Sequence, residues 1–213
     1  MTRRFLLLAA LVAGCARGQS DYMPEAPIPE APLSAFAATR MIVLPLQSVR
    51  STDSLGWVAS AGGARSVLPV ADSTLEAVFR DRGLTPTWAL PTELERMARN
   101  NPGYVTSPRA IRAGDAIRVM ERRRGAEIPE PAGSQLRTLA GFHDARYAMV
   151  PVELRFQPTA DGRAQPVLLV AVLDVRSSRL VWMSEIGSGD ATAYSPQLLH
   201  DLATHFADLI VAR

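Results

Sequence analysis

The stretch PVLLVAVLDVRSSRLVWMSEI, residues 166–186, predicts two long strands joined by a tight turn. Its first ten residues are almost all apolar, which is typical of a strand buried on both faces and central in a sheet. RSSR then reverses the chain into LVWMSEI, so the two strands form a hairpin. The preceding segment ARYAMVPVELRF, residues 145–156, has the composition of a third strand.

The rest of the chain predicts shorter strands and helices around that hairpin. MIVLPL, residues 41–46, and LTPTWAL, residues 84–90, are predicted strands. Helices are predicted over residues 72–83, 91–100, 116–123 and 134–142, and in a last helix that Ser195 caps and Pro196 begins. This order of elements predicts a single α+β domain with a mixed sheet of about four to five strands and helices packed on it.

Local signals predict where some of these elements begin and turn. Ser73 with Glu76, and Thr92 with Glu95, have the spacing of a capping box, in which a hydroxyl residue starts the helix. NPGY, residues 101–104, has Pro and Gly at the second and third positions of a type II turn.

The amino terminus has the layout of an export signal. After two arginines, residues 5–13 form an apolar run that is too short to span a bilayer. LVAGC, residues 11–15, resembles the lipobox of bacterial lipoproteins. That resemblance implies that residues 1–14 are a cleaved signal peptide and that Cys15 carries the lipid. The alternative is an ordinary signal peptide with an incidental cysteine.

Residues 15–37 are predicted to be the lipidated cysteine followed by a tether. SDYMPEAPIPEAPLSAF, residues 20–36, alternates Pro with Ala and Glu, which favours extended polyproline II. A strap packed on the domain is the alternative. The periplasmic domain is then predicted to span residues 38–213. Ala16 fits outer-membrane retention by analogy with enteric lipoproteins.

Charge argues against nucleic acid as a partner. All 23 basic residues are arginine, and loss of the signal peptide would leave 21 of them against 21 acidic residues. A neutral chain has no long-range attraction to polyanions.

Composition also excludes several cofactor and nucleophile chemistries. The chain has no lysine for a phosphate-binding loop or a Schiff base, and its one cysteine is assigned to the lipid. ASAGGARS, residues 59–66, lacks a nucleotide-binding fingerprint and is predicted to be a flexible loop. His200 and His205 lie five residues apart, about 140° around a helix, so one zinc ion does not readily take both. No cofactor or metal is predicted.

One pair of residues leaves a catalytic alternative open. His143 and Asp144 could form a hydrolase couple with Ser134 or Ser184 as the nucleophile. Adjacent residues at a helix–strand junction more often serve as a cap and turn, and no Gly-x-Ser-x-Gly motif is present.

Two stretches resemble families of envelope proteins. MIVLPL, STDSLGW and DSTLEAVFRDRG, within residues 41–83, resemble the opening of the TolB amino-terminal domain. VLLVAVLDVRSSRLVWMSEI, residues 167–186, is similar to a strand pattern of CsgG-type and LpoB-type lipoproteins. The resemblance implies a non-catalytic module that binds partner proteins. Residues 91–131 have no counterpart in it, and no long amphipathic hairpin for a CsgG-like pore is present.

The predicted partner surface combines an exposed turn with an arginine cluster. An exposed tyrosine is a typical interface anchor, and guanidinium groups pair with phosphate or carboxylate. The alternatives are that the tyrosine ring packs over the turn and that the arginines form a solvated helix face. The sequence therefore predicts an outer-membrane lipoprotein facing the periplasm that binds an envelope protein, with self-association left open. Its candidate binding residues are Asn101, Pro102, Gly103, Tyr104, Arg118, Arg122, Arg123 and Arg124.

Overall fold

A computed structural model describes residues 31–50, 54–120 and 124–211, and within these ranges the chain forms five strands and seven α-helices. In chain order they are α1 (Ser34–Ala37), β1 (Met41–Val43), α2 (Trp57–Ser60), α3 (Ala64–Asp81), β2 (Trp88–Ala89), α4 (Pro91–Asn100), α5 (Ala113–Val119), α6 (Ala132–Gly141), β3 (Tyr147–Pro158), β4 (Ala164–Asp174), β5 (Arg179–Gly187) and α7 (Pro196–Asp208). No helix in these ranges combines the length and apolar composition needed to cross a bilayer.

The strands form one mixed sheet in the order β2-β1-β3-β4-β5. β1 is parallel to β2 on one side and to β3 on the other, with Met41 aligned with both Trp88 and Tyr147. β3, β4 and β5 are antiparallel neighbours. β4 is buried along nearly its whole length, as its continuous apolar sequence predicts. The predicted single α+β domain with a mixed sheet is confirmed.

The sheet separates two apolar cores, one on each face. Alternate residues of β1 show the division, because Met41 and Val43 belong to one core and Ile42 to the other. α3 and α7 cover the first face, where Phe79 packs edge-on against Trp88 and Phe206. α4, α5 and α6 cover the second face through their buried residues Leu94, Ile117 and Leu136.

α3 begins earlier than the capping-box prediction placed it. It starts at Ala64, after Gly63, so Ser73 lies inside the helix and donates its hydroxyl proton to the carbonyl of Val70 at 3.0 Å. The predicted flexible loop over residues 59–66 is instead the end of α2, a short turn over residues 61–63 and the first three residues of α3. The reason is tertiary, because the added turns bury Val67 and Ala71 against the sheet.

The carboxyl end of α3 agrees with the prediction. Gly83 has φ +74°, a left-handed conformation that costs glycine little. The N–H groups of Gly83 and Leu84 donate to the carbonyls of Arg80 and Phe79, which is the Schellman arrangement.

The second predicted capping box does not form either. α4 begins at Pro91, and the carboxylate that binds Thr92 belongs to Glu76 of α3. Glu95, the predicted capping partner, is ion-paired with Arg109 instead. α5 starts three residues before its predicted position, and α6 lies close to its predicted bounds.

The end of the predicted tether is packed on the domain. Leu33 is fully buried, and its N–H donates to the carbonyl of Leu209 at 2.8 Å. Phe36 packs edge-on against Tyr147. Apolar side chains among residues 31–37, at the end of the predicted tether, therefore pack on the domain beside α7, as in the strap alternative. The predicted signal peptide, Cys15 and residues 16–30 lie outside the described residues.

Candidate functional site

The predicted turn over residues 101–104 is present and presents its tyrosine to solvent. Gly103 has φ +88°, and the N–H of Tyr104 donates to the carbonyl of Asn101 at 3.3 Å. Tyr104 is 81% exposed, although aromatic side chains of this size are usually at least partly buried. The ring therefore does not pack over the turn, which was the alternative prediction. We call residues 101–112, which connect α4 to α5, the Tyr104 loop.

The base of the Tyr104 loop is held by apolar and polar contacts. Val105 is buried and Ile111 is fully buried, and both belong to the core beneath α4, α5 and α6. The side chain of Asn101 donates to the carbonyl of Met97 at 2.9 Å. A second turn brings the N–H of Ala110 to the carbonyl of Ser107 at 2.8 Å. The exposed ring therefore stands on an ordered base.

Arg109 links the Tyr104 loop to two helices. Its Nη2 lies 2.8 Å from Oδ2 of Asp72 on α3, and its Nε lies 2.7 Å from Oε1 of Glu95 on α4. The other oxygen of Asp72, which is a buried carboxylate, accepts the N–H of Leu46 at 2.7 Å. Burial raises the pKa of Asp72, while the hydrogen bond from Leu46 and the charge of Arg109 act in the opposite direction.

Of the arginines in the predicted surface, Arg118 is already engaged within the domain. Arg118 donates to the hydroxyl of Ser48 at 2.9 Å and forms an ion pair with Asp115. Arg124 is exposed, whereas Arg122 and Arg123 lie outside the described residues. Within the described ranges, no hydrogen bond or ion pair joins the Tyr104 loop to Arg118 or Arg124.

His143 and Asp144 point to different partners. Asp144 has φ +48°, and its carboxylate accepts a hydrogen bond from Arg40 at 3.3 Å. Nδ1 of His143 lies 3.9 Å from Oε1 of Glu93, beyond hydrogen-bond distance. Burial lowers the pKa of His143, and the charge of Glu93 opposes that shift. A hydrolase couple requires the carboxylate to orient the imidazole ring, and Asp144 does not orient His143.

The two candidate nucleophiles are also engaged elsewhere. The hydroxyl of Ser134 donates to the carbonyl of Pro131 at 2.9 Å, and that of Ser184 to the carbonyl of Glu185 at 3.4 Å. Neither serine is hydrogen-bonded to His143. The arrangement required by the catalytic alternative is not assembled.

A small polar cleft lies beside His143. It encloses about 220 Å³, and its floor is the paired start of β1 and β2 at Met41 and Trp88. Its polar walls are Arg40, Thr85, Thr87, Glu93 and His143. A space of this size can hold a few water molecules or one small polar molecule.

Metal binding finds no support in the described ranges. Residues 31–50, 54–120 and 124–211 contain no group of three or more His, Cys, Asp or Glu side chains that could hold a metal ion. His200 borders an open groove with Ser73 and Thr74 on α3.

The ion-pair network around Arg109 was not predicted from the sequence. Asp72 was available as a signal, since a carboxylate within the apolar run VLPVAD must be paired if it is buried. Its partner could not be identified in advance, because Arg109 is one of many arginines and lies in an irregular loop.

Comparison with known proteins gives only distant structural similarity. No family model and no curated protein matches the chain. Similar solved structures include a PelC dodecamer from Paraburkholderia phytofirmans, at 15% identity and a TM-score of 0.36, covering 83% of this chain and 91% of that one. The LpoB C-terminal domain from Salmonella enterica is 15% identical with a TM-score of 0.39, covering 76% of this chain and 94% of that one. The solution structure of E. coli LpoB is 11% identical with a TM-score of 0.38, covering 89% and 84%.

LpoB domains therefore occur among the structures that are similar to this chain. At these identities and scores the similarity transfers no residue role, partner or activity to this chain. The assignment of the architecture rests on its own strand order.

Proposed function

We propose that this chain is a membrane-anchored envelope lipoprotein whose periplasmic α+β domain binds a partner protein without catalysing a reaction. Cys15 carries the lipid, and the chain between Cys15 and Ala31 links the domain to the outer membrane. Two or three acyl chains, at about 0.8 kcal/mol per buried CH₂ group, hold a protein on a membrane durably. Confinement near the membrane raises the effective concentration of the domain for its partner.

The observation that carries the proposal is the exposure of Tyr104 on an ordered turn. A tyrosine offers a large contact area at a low cost in conformational entropy, and such residues dominate the binding energy of many interfaces. The turn is anchored at Asn101 and Val105, so the ring is presented from a defined base. Arg122, Arg123 and Arg124 remain candidates for charge contacts with the partner, whereas Arg118 is already paired within the domain.

The separation of His143 from Asp144 leaves the hydrolase alternative without its catalytic couple.

The lipid anchor is tested by metabolic labelling with a palmitate analogue. The wild-type chain is expected to incorporate the label, and Cys15→Ala is expected to lose it completely and to be recovered as a soluble periplasmic protein. A Cys15→Ala chain that still carries the label would refute the anchor.

The binding surface is tested by cross-linked capture from native envelopes with the full lipidated chain. One dominant envelope protein is expected with the wild type and should be lost with Tyr104→Ala. Phe142→Ala is the matched control, since Phe142 is another exposed aromatic residue, 50% exposed, at the end of α6. Equal capture by Tyr104→Ala and Phe142→Ala would show that Tyr104 does not contribute to the binding surface. Capture of the bait alone would indicate self-association.

A further inference from the structure

We propose that Arg109 is the positioning residue of the Tyr104 loop, which it fastens to α3 and α4 so that Tyr104 is presented in one orientation. This inference rests on the proposed binding function and adds to it a residue outside the binding surface.

The geometry of Arg109 is that of a clamp between three segments. It lies in the turn where Ala110 donates to Ser107, between the two apolar anchors Val105 and Ile111. Its Nη2 and Nε each reach a different carboxylate, at 2.8 Å and 2.7 Å. The loop is thereby tied to Asp72 and Glu95, which belong to two different helices.

The clamp is anchored in the interior of the domain. Asp72 is a buried residue of α3, and its second oxygen accepts the N–H of Leu46 just after β1. A buried carboxylate requires a charged or hydrogen-bonding partner, and Arg109 supplies the opposite charge for Asp72 at 2.8 Å. Asp72 therefore connects the Tyr104 loop, through Arg109, to α3 and to the residues just after β1.

Tyr104 itself contributes little to holding the loop, because its ring is mostly in solvent. The orientation of the ring depends on the segment behind it, and that segment is fixed by Val105, Arg109 and Ile111. An ordered loop loses less conformational entropy on binding than a free one. Release of Arg109 should therefore weaken partner capture although Arg109 is not required to touch the partner.

Hydrogen exchange of the full-length chain tests the clamp directly. In Arg109→Met, the amides of Val105, Ala110 and Ile111 should exchange roughly tenfold faster than in the wild type, because local opening becomes easier. Arg99→Met is the matched control. Arg99 approaches the same Glu95, at 3.9 Å, but it lies on α4 and does not contact Asp72. Unchanged exchange in Arg109→Met, or an equal increase in Arg99→Met, would overturn the proposal.

Two further variants separate positioning from loss of the fold. Arg109→Met leaves the buried charge of Asp72 unpaired, so the double variant Asp72→Asn/Arg109→Met removes that charge while an amide oxygen can still accept the N–H of Leu46. Its loop amides should exchange as fast as those of Arg109→Met while the β4 amides stay protected. Arg109→Lys should restore part of the protection, since an ammonium reaches one carboxylate but lacks the fork that binds two.

Partner capture distinguishes failure of the clamp from failure of the proposed function. Arg109→Met should lower capture several-fold, Arg109→Lys should recover part of it, and Tyr104→Ala should abolish it while leaving the exchange of Ala110 and Ile111 unchanged. Full capture by Arg109→Met, with capture lost in Tyr104→Ala, would overturn the positioning role and leave the binding function intact. Full capture by Tyr104→Ala would instead end the proposed function, and with it this role of Arg109.

Discussion

The carboxylate of Glu76 on α3 caps the first turn of α4 through Thr92. One oxygen accepts the N–H of Thr92 at 2.5 Å, and the other accepts its hydroxyl at 2.8 Å. The first N–H groups of a helix have no partner within it, and negative charge there is favourable, so this contact stabilises α4 and fixes its start against α3. The Tyr104 loop begins at the other end of α4.

Loss of the Glu76 carboxylate should destabilise the domain. Glu76→Ala leaves the N–H of Thr92 without its partner in a partly buried place and should lower the free energy of unfolding by about 1–3 kcal/mol. Urea unfolding followed by circular dichroism measures this. Asp81→Ala, at the exposed end of the same helix, should change stability by less than about 0.5 kcal/mol. Equal values for the two variants would show that the cap contributes nothing.

Leu33 should behave as a core residue although it lies in the segment with a tether composition. Because it is fully buried, Leu33→Ala should lower the free energy of unfolding by about 2–5 kcal/mol. The exposed neighbour Ser34 supplies the control, since Ser34→Ala should be nearly neutral. A nearly neutral Leu33→Ala would show that residues 31–37 belong to the tether and do not contribute to the core.

Gly114 should not tolerate a side chain. A Cβ atom at this position of α5 would lie 2.7 Å from Cβ of Gln47, so Gly114→Ala forces the two segments apart at a cost of about 1–3 kcal/mol. Gly141 of α6 has no atom within 4 Å of that position, and Gly141→Ala should be neutral or stabilising by up to about 1 kcal/mol. The thermal unfolding midpoint should therefore fall for Gly114→Ala and stay unchanged or rise for Gly141→Ala, and a stabilised Gly114→Ala would contradict the close approach.

His143 should make the domain less stable in mild acid. Burial places its pKa below the ordinary 6.5, so as pH falls the unfolded chain takes up the proton before the folded one does. Its contribution to stability is full above pH 6.5 and is lost as pH falls through the lower pKa of the folded state. Unfolding in urea at a series of pH values should show a smaller loss below pH 6.5 for His143→Gln than for the wild type. Identical pH profiles would show that His143 is not the group responsible.

The three long strands β3, β4 and β5 and the turn at Tyr104 could be predicted because their signals are local, whereas β1 and β2 are shorter than predicted. β4 is a continuous apolar run, and the positive φ of Gly103 follows from Pro and Gly in adjacent positions. The start of α3 was predicted wrongly, because a local capping pattern at Ser73 competed with burial of Val67 on the sheet, and burial prevailed. Glu95 was misassigned for the same reason, since its ion pair with Arg109 depends on a distant loop.

By itself, the sequence determined the class of fold, the order of its strands along the chain and the turn that carries Tyr104. These depend on apolar periodicity and on backbone preferences that neighbouring residues set. Only the tertiary structure decided that Glu76 caps α4, that Leu33 belongs to the core, that His143 and Asp144 part, and that Arg109 joins Asp72 to Glu95. Ion pairs and caps form between whichever side chains the packing of the two cores brings within about 3 Å, and that distance is not encoded in the spacing of residues along the chain.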